Sequence, residues 1–155
     1  TDGEFPAEYT TVDATAVSTN DEGFYSNQTT LEGLEENTEY VYRVVNGDTV
    51  SEVYSFSTGA YDSDFSFAFV GDPQIGAGTT ETDIEGWNTT LDTIQNDLGV
   101  DFLFSAGDQV NTANNEGQYA GYLNDAFSSL ASVSTIGNHD SNSTAYNEHF
   151  NLSNE

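Results

Sequence analysis

Three short segments hold the residues whose types and spacing could do chemistry. They are Val70-Gly71-Asp72, Ala106-Gly107-Asp108 and Ile136-Gly137-Asn138, the last followed by His139-Asp140. Each closes an apolar run, and in each a glycine allows a sharp turn just before an oxygen ligand. Gln74 follows the first of these aspartates by two positions and can offer a carbonyl oxygen. Two carboxylates, an amide and an imidazole can therefore converge from well-separated positions. Hard oxygen donors with a histidine suit Mg, Mn, Fe or Zn. The chain has a single basic residue, Arg43, far from these segments in sequence. A metal ion is the natural counterion for the two aspartates.

The elements that must position these residues follow from hydrophobic periodicity. Residues 65–70 form an apolar run fit for a strand buried on both faces. Thr82-x-x-Glu85 reads as a capping box. After it Ile84, Trp87, Leu91, Ile94 and Leu98 recur on one helix face, ended by Gly99. Residues 100–106 make a second buried strand. Tyr119, Tyr122, Leu123, Ala126, Phe127 and Leu130 mark a second amphipathic helix, and 132–136 a third strand. Strand–helix–strand–helix–strand predicts a parallel sheet with right-handed crossovers. All three ligand-bearing loops then open at its carboxyl edge.

Before about residue 60 the pattern has period two. Residues 39–45 and 50–58 read as strands, joined through Asn46-Gly47-Asp48 by a tight hairpin. Tyr40, Tyr42 and Val44 share one face; Val41, Arg43 and Val45 share the other. Weaker strand signals lie in 7–18 and 24–31. Leu31-x-Gly33-Leu34-x-x-Asn37-Thr38-x-Tyr40-x-Tyr42 resembles the fibronectin type III family, in which a Tyr at the place of Tyr40 forms the tyrosine corner. A whole domain of that kind needs about 100 residues, so its first strands are expected to be missing. The predicted organisation is a partial β-sandwich over residues 1–60, then a partial α/β domain, the βαβαβ half, over 61–155, with the junction at 59–64.

The strand-end motifs carry a second resemblance. Gly71-Asp72-Pro73-Gln74, Gly107-Asp108-Gln109-Val110-Asn111 and Gly137-Asn138-His139-Asp140 are similar, in order and spacing, to the first three motifs of the calcineurin-like metallophosphoesterases. A fibronectin-like domain directly before them resembles the purple acid phosphatase branch. The resemblance implies a two-metal site for Mn, Fe, Zn or Mg. Asp72 would bind the first metal, Asp108 would bridge both, and Asn138 would bind the second. His139 would contact phosphate and the leaving oxygen, with Asp140 orienting its ring. Gln74 stands where many relatives have a metal-binding His. Asn111 stands where purple members carry the Tyr that colours iron, so no purple Fe(III) centre is expected. The family's later motifs supply three further His, whereas this chain holds only His139 and His149. The chain is therefore read as an internal segment holding half a metal site, completed by the rest of its parent or by self-assembly.

Composition bounds the rest. Of 155 residues 27 are acidic and one is basic, a formal charge of −26. Counterion-release binding to nucleic acid is excluded as a function class, and an anionic membrane surface would repel the chain. No apolar run of about 18 residues is present, so no membrane insertion is expected. Cysteine is absent, which removes disulfides and thiolate chemistry. Thr1 begins no signal peptide; any targeting segment lies outside the chain or has been removed. Asn27, Asn88, Asn142 and Asn151 open N-x-[ST] sequons, near the number chance allows. A secreted or cell-surface location is expected.

Plainer roles fit some of these residues better. His149 matches no motif and reads as structural. Trp87, Tyr119 and Tyr122 read as core. Gly76-x-Gly78 could bring backbone N–H groups to a phosphate, but a flexible loop is the preferred reading. The predicted activity is metal-dependent hydrolysis of small-molecule phosphate monoesters, with diesters as an extension. The competing reading is a structural or adhesive extracellular module on a phosphoesterase scaffold.

Overall fold

The computed structural model describes residues 5–62 and 64–151. Thr1, Ser63 in the junction, Glu155 and the residues completing the Asn151 sequon lie outside the described residues. The N-terminal half is built from antiparallel pairs. β1 (Thr15–Ser18) pairs with β2 (Tyr25–Gln28). β3 (Glu39–Tyr42) pairs with β6 (Tyr54–Ser57), and β4 (Val45–Asn46) with β5 (Thr49–Val50). The predicted hairpin closes through Gly47-Asp48, with Gly47 at φ 58°. The two long strands predicted around it each break in two. Between the pairs Tyr42–Tyr54 and Val45–Val50, residues 43–44 face residues 51–53, one residue more, so the ladder bulges. The Ser51 hydroxyl accepts the Val44 N–H at 2.9 Å in the gap. Val44 is turned out to 56% exposure and does not join Tyr40 and Tyr42 on their face.

Tyr40 makes the corner that its motif implies: its hydroxyl oxygen accepts the Glu35 N–H at 2.7 Å, and its ring stacks on Phe56. Hydrogen bonds from Tyr42, Asn20 and Ser26, the last to the Glu148 carbonyl, tie this half to the rest. The Tyr42 hydroxyl donates to the Ser128 carbonyl at 2.9 Å. Asn20, in the β1–β2 turn, donates its N–H to Glu148 and its amide to Ser143 and Thr144.

The second half is the predicted parallel sheet. β7 (Phe67–Val70), β8 (Phe102–Ala106) and β9 (Ser132–Thr135) lie in that order, both pairings parallel. α1 (Thr80–Thr93) and α2 (Glu116–Tyr122) make the crossovers, and α3 (Ala145–His149) follows β9. Among the described residues no helix is long and apolar enough to cross a membrane. Ala68 and Leu103 face a core of Ile75, Trp87, Leu91, Ile94 and Tyr122. Burial on both faces does not hold. The described helices lie against one face, so every second residue turns away from them: Phe67 is 47% and Phe69 66% exposed. Their rings stack on Phe102 at 5.3 Å and on Phe104 at 5.5 Å, a ladder of cross-strand pairs.

Helix boundaries also differ from expectation. The cap of α1 is Thr79, whose side chain accepts the Thr82 N–H, so Thr82 lies inside the first turn. The helix widens into a π turn over Ile94–Leu98 before Gly99 turns left-handed at φ 58°. The wider turn rotates Leu98 off the buried face, to 57% exposure. The second predicted helix is two pieces. Asn124 accepts the Ala126 N–H at 3.0 Å and opens a separate 3₁₀ turn, Asp125–Ser128.

Two predictions follow from this packing. Trp87 stacks on Tyr122 at 5.2 Å and donates its indole N–H to the Tyr122 carbonyl at 2.9 Å. Trp87→Ala is expected to cost about 3–5 kcal/mol in urea unfolding, while Phe24→Ala, at a residue 68% exposed, stays within about 0.5 kcal/mol. Asp101 joins the starts of β7 and β8. The Ser66 N–H and hydroxyl donate to it at 2.7 and 3.0 Å and hold its carboxyl below the ordinary value. A lowered folded pKa stabilises above the unfolded value of about 3.9 and is lost as pH falls through the folded one. The thermal midpoints of wild type and Asp101→Asn should therefore differ at neutral pH and converge on acidification below about pH 4.

Candidate metal centre

The loops after β7 and β8 run side by side. The Gln74 N–H donates to the Asp108 carbonyl at 2.8 Å and the Ile75 N–H to the Gln109 carbonyl at 3.1 Å. The Asn111 N–H returns to the Ile75 carbonyl at 3.0 Å. The turn residues are not all the expected glycines. Gly107 is left-handed at φ 89°, but in the first loop it is Asp72 (φ 50°) and Gln74 (φ 42°) that carry positive φ, and Asp108 follows Gly107 at φ 51°. Three non-glycine residues in this region at one sheet edge hold strain that the hydrogen bonds between the loops must offset.

The loop after β9 is fastened by Asp140. Its side chain is fully buried. Oδ2 accepts the Gly137 N–H at 2.9 Å; Oδ1 accepts the Gln109 N–H at 3.1 Å and the Val110 N–H at 3.3 Å. Asp140 therefore ties two loops together through their backbones and does not orient the His139 ring. That ring is held by Asn111 and Gln74: Nδ1 lies 2.9 Å from the Asn111 carbonyl and Nε2 lies 3.1 Å from Gln74 Nε2. The backbone N–H of His139 donates to Asp108 Oδ1 at 2.9 Å.

Asp108 is 7% exposed, whereas Asp72 and Asn138 lie at the surface. Among the described residues the side chains of Asp72 and Asn138 make no hydrogen bond, and Oδ2 of Asp108 makes none either. These uncommitted oxygens suit a hard divalent cation in kind. The set is incomplete as a cage, because among the described residues no three His, Asp or Glu side chains come together to hold an ion. Gln74 reaches the site, but its Nε2 donates to Asn111 Oδ1 at 3.1 Å as well as meeting His139.

Other residues take roles that the sequence reading missed. The N–H groups of Gly76 and Gly78 donate to the Asp83 carboxylate at 3.0 and 2.9 Å, so they are engaged within the protein and not presented to a phosphate. Asp83 sits in the first turn of α1, a position whose acidic character was the available signal. Gln118 Oε1 accepts the Thr112 N–H at 2.8 Å and supports the second loop from α2. Gln109 sends its amide to the Ser105 hydroxyl at 3.2 Å and the Thr135 carbonyl at 3.1 Å, bracing the ends of β8 and β9. His149 is structural, as its lack of a motif suggested: it meets Glu116 at 2.9 Å and lies against the Tyr119 ring at 4.3 Å. Burial, with the negative Asp140 and Glu116 nearby, pushes the Tyr119 hydroxyl well above its ordinary pKa.

The three motif glycines are not equivalent. A Cβ on Gly137 would stand 2.0 Å from Asp108 Oδ1 and 2.2 Å from the Asp108 N, whereas one on Gly71 would meet nothing within 4 Å. Gly137→Ala is expected to destabilise by about 1–3 kcal/mol. Gly71→Ala should leave the urea midpoint nearly unchanged.

Two family models match the chain. Residues 2–58 match the purple acid phosphatase N-terminal domain. Residues 65–155 match the calcineurin-like phosphoesterase family. Among curated proteins none matches the chain. The second match spans more than half of the sequence and takes in all three strand-end loops. The chain belongs to the calcineurin-like phosphoesterase family, with a purple acid phosphatase-like N-terminal domain before it.

Proposed function

We propose that the parent protein hydrolyses small-molecule phosphate monoesters, and diesters by extension, at a two-metal site to which this chain supplies Asp72, Asp108 and Asn138. The family makes it a metal-dependent phosphoesterase in general terms. The observation that carries the finer reading is the set of uncommitted oxygens on adjoining loops beside a fixed imidazole. Divalent ions, of Mn, Fe, Zn or Mg, would compensate phosphoryl charge and acidify an attacking water. Asp108, the buried one, would hold the ions together with Asp72 and Asn138 through their carboxylate and amide oxygens. His139 would meet the phosphate through its Nε2 edge and stabilise the leaving oxygen. Secretion or surface display fits a sequence whose one trypsin-type site, Arg43, is stacked over Phe5 at 4.2 Å.

The structural-module reading draws on one observation, the lack of any three-group His, Asp or Glu cluster among the described residues. Nitrophenyl phosphate hydrolysis by the full-length protein separates the two. The proposal expects turnover that a chelator abolishes and Mn²⁺ or Zn²⁺ restores, with Asp108→Asn lowering kcat by about 100-fold. No metal-dependent turnover from folded full-length protein would support the module instead.

A further inference from the structure

His139 is the one imidazole at the site, and both of its ring nitrogens have partners. Nδ1 faces the Asn111 carbonyl at 2.9 Å. A carbonyl can only accept, so Nδ1 must carry the proton. In the neutral ring Nε2 then presents a lone pair. The atom 3.1 Å from it must donate, and that atom is the Gln74 amide nitrogen. The same nitrogen lies 3.1 Å from Asn111 Oδ1, so its two hydrogens serve two acceptors. Each amide orientation follows from the one before it, beginning at a backbone carbonyl that cannot change its role.

Gln74 is built for this place. It is half-buried, at φ 42°, and its own N–H is tied to the Asp108 carbonyl at 2.8 Å. Its side chain thus starts from the first loop, touches Asn111 on the second and reaches His139 on the third. We propose that Gln74 is a positioning residue, which with the Asn111 carbonyl fixes His139 as the Nδ1–H tautomer and keeps Nε2 directed between the loops. Free neutral imidazole side chains favour the proton on Nε2, so the tautomer reports the network. A phosphate contact at Nε2 rests on the function proposed above; the tautomer does not, and it is read without any turnover.

The test is a long-range ¹H–¹⁵N correlation spectrum of the uniformly ¹⁵N-labelled chain, at a fixed pH well above the ordinary imidazole value of about 6.5. His149→Gln removes the only other imidazole signals. The expected spectrum shows a protonated Nδ1 and an unprotonated Nε2, the latter shifted strongly downfield. Gln74→Leu should return His139 toward the Nε2–H form. Gln74→Glu has the same size but can only accept, and should place a proton on Nε2. An Nε2–H ring in the wild type would overturn the proposal, as would unchanged His139 shifts in a folded Gln74→Glu chain. Absence of phosphoesterase activity from the wild-type full-length protein, with the tautomer as expected, would count against the hydrolase reading alone.

Discussion

The Asp140 carboxylate, fully buried and met by three backbone N–H groups, is the interaction on which the site depends. An ionised group in such a place is tolerated only when dipoles replace water. Here the dipoles belong to the chain on either side of the motif residues: Gln109 and Val110 follow Asp108, and Gly137 precedes Asn138. Satisfying one buried charge therefore sets the separation of the β8 and β9 loops. It also brings the His139 N–H onto Asp108. Without those N–H groups the carboxylate would be an unpaired buried charge, and among the described residues the two loops would be joined only through the His139 N–H to Asp108, the His139 ring to Asn111 and the Gln109 amide to Thr135.

The close approach leaves no room for side chains where the loops meet. A Cβ on Gly107 would lie 2.9 Å from the Gly137 Cα, and one on Gly137 would strike Asp108. Strain and spacing are thus matched: left-handed residues at Asp72, Gln74, Gly107 and Asp108 aim the donors, and the cross-loop ladder from Gln74 to Asn111 keeps them there. The charge balance points the same way. With 27 acidic residues against one basic one, the carboxylates at this edge have no side-chain cation to draw on, and a bound divalent ion would relieve them.

The parallel sheet and the convergence of its loops were legible because both follow from local signals. Apolar runs closed by Gly-Asp or Gly-Asn mark strand ends, and a parallel order puts those ends on one edge. Other features depend on contacts distant in sequence. Leu98 fits the helical period and is nonetheless exposed, because α1 ends in a π turn. The Phe residues of β7 lie in a run that reads as doubly buried, yet the described helices cover one face of the sheet. Asp140 adjoins His139 in sequence, which suggests that the two side chains interact. Successive residues entering a helical turn point in different directions, and the carboxylate turns inward to backbone 31 and 30 residues earlier. The ring partner of His139 is a main-chain carbonyl, a group that no sequence motif displays.

The central claim is that three separate strand ends form one cation-binding edge. Titrating Mn²⁺ at substoichiometric levels into the ¹⁵N-labelled protein tests it most directly, because the paramagnetic ion broadens only nearby amides. The account predicts that the amides of residues 71–74, 107–111 and 137–140 broaden together and first, and that Asp108→Asn removes the effect. Broadening that begins on the acidic surface of residues 5–58, or that touches one of the three loops without the others, would contradict it.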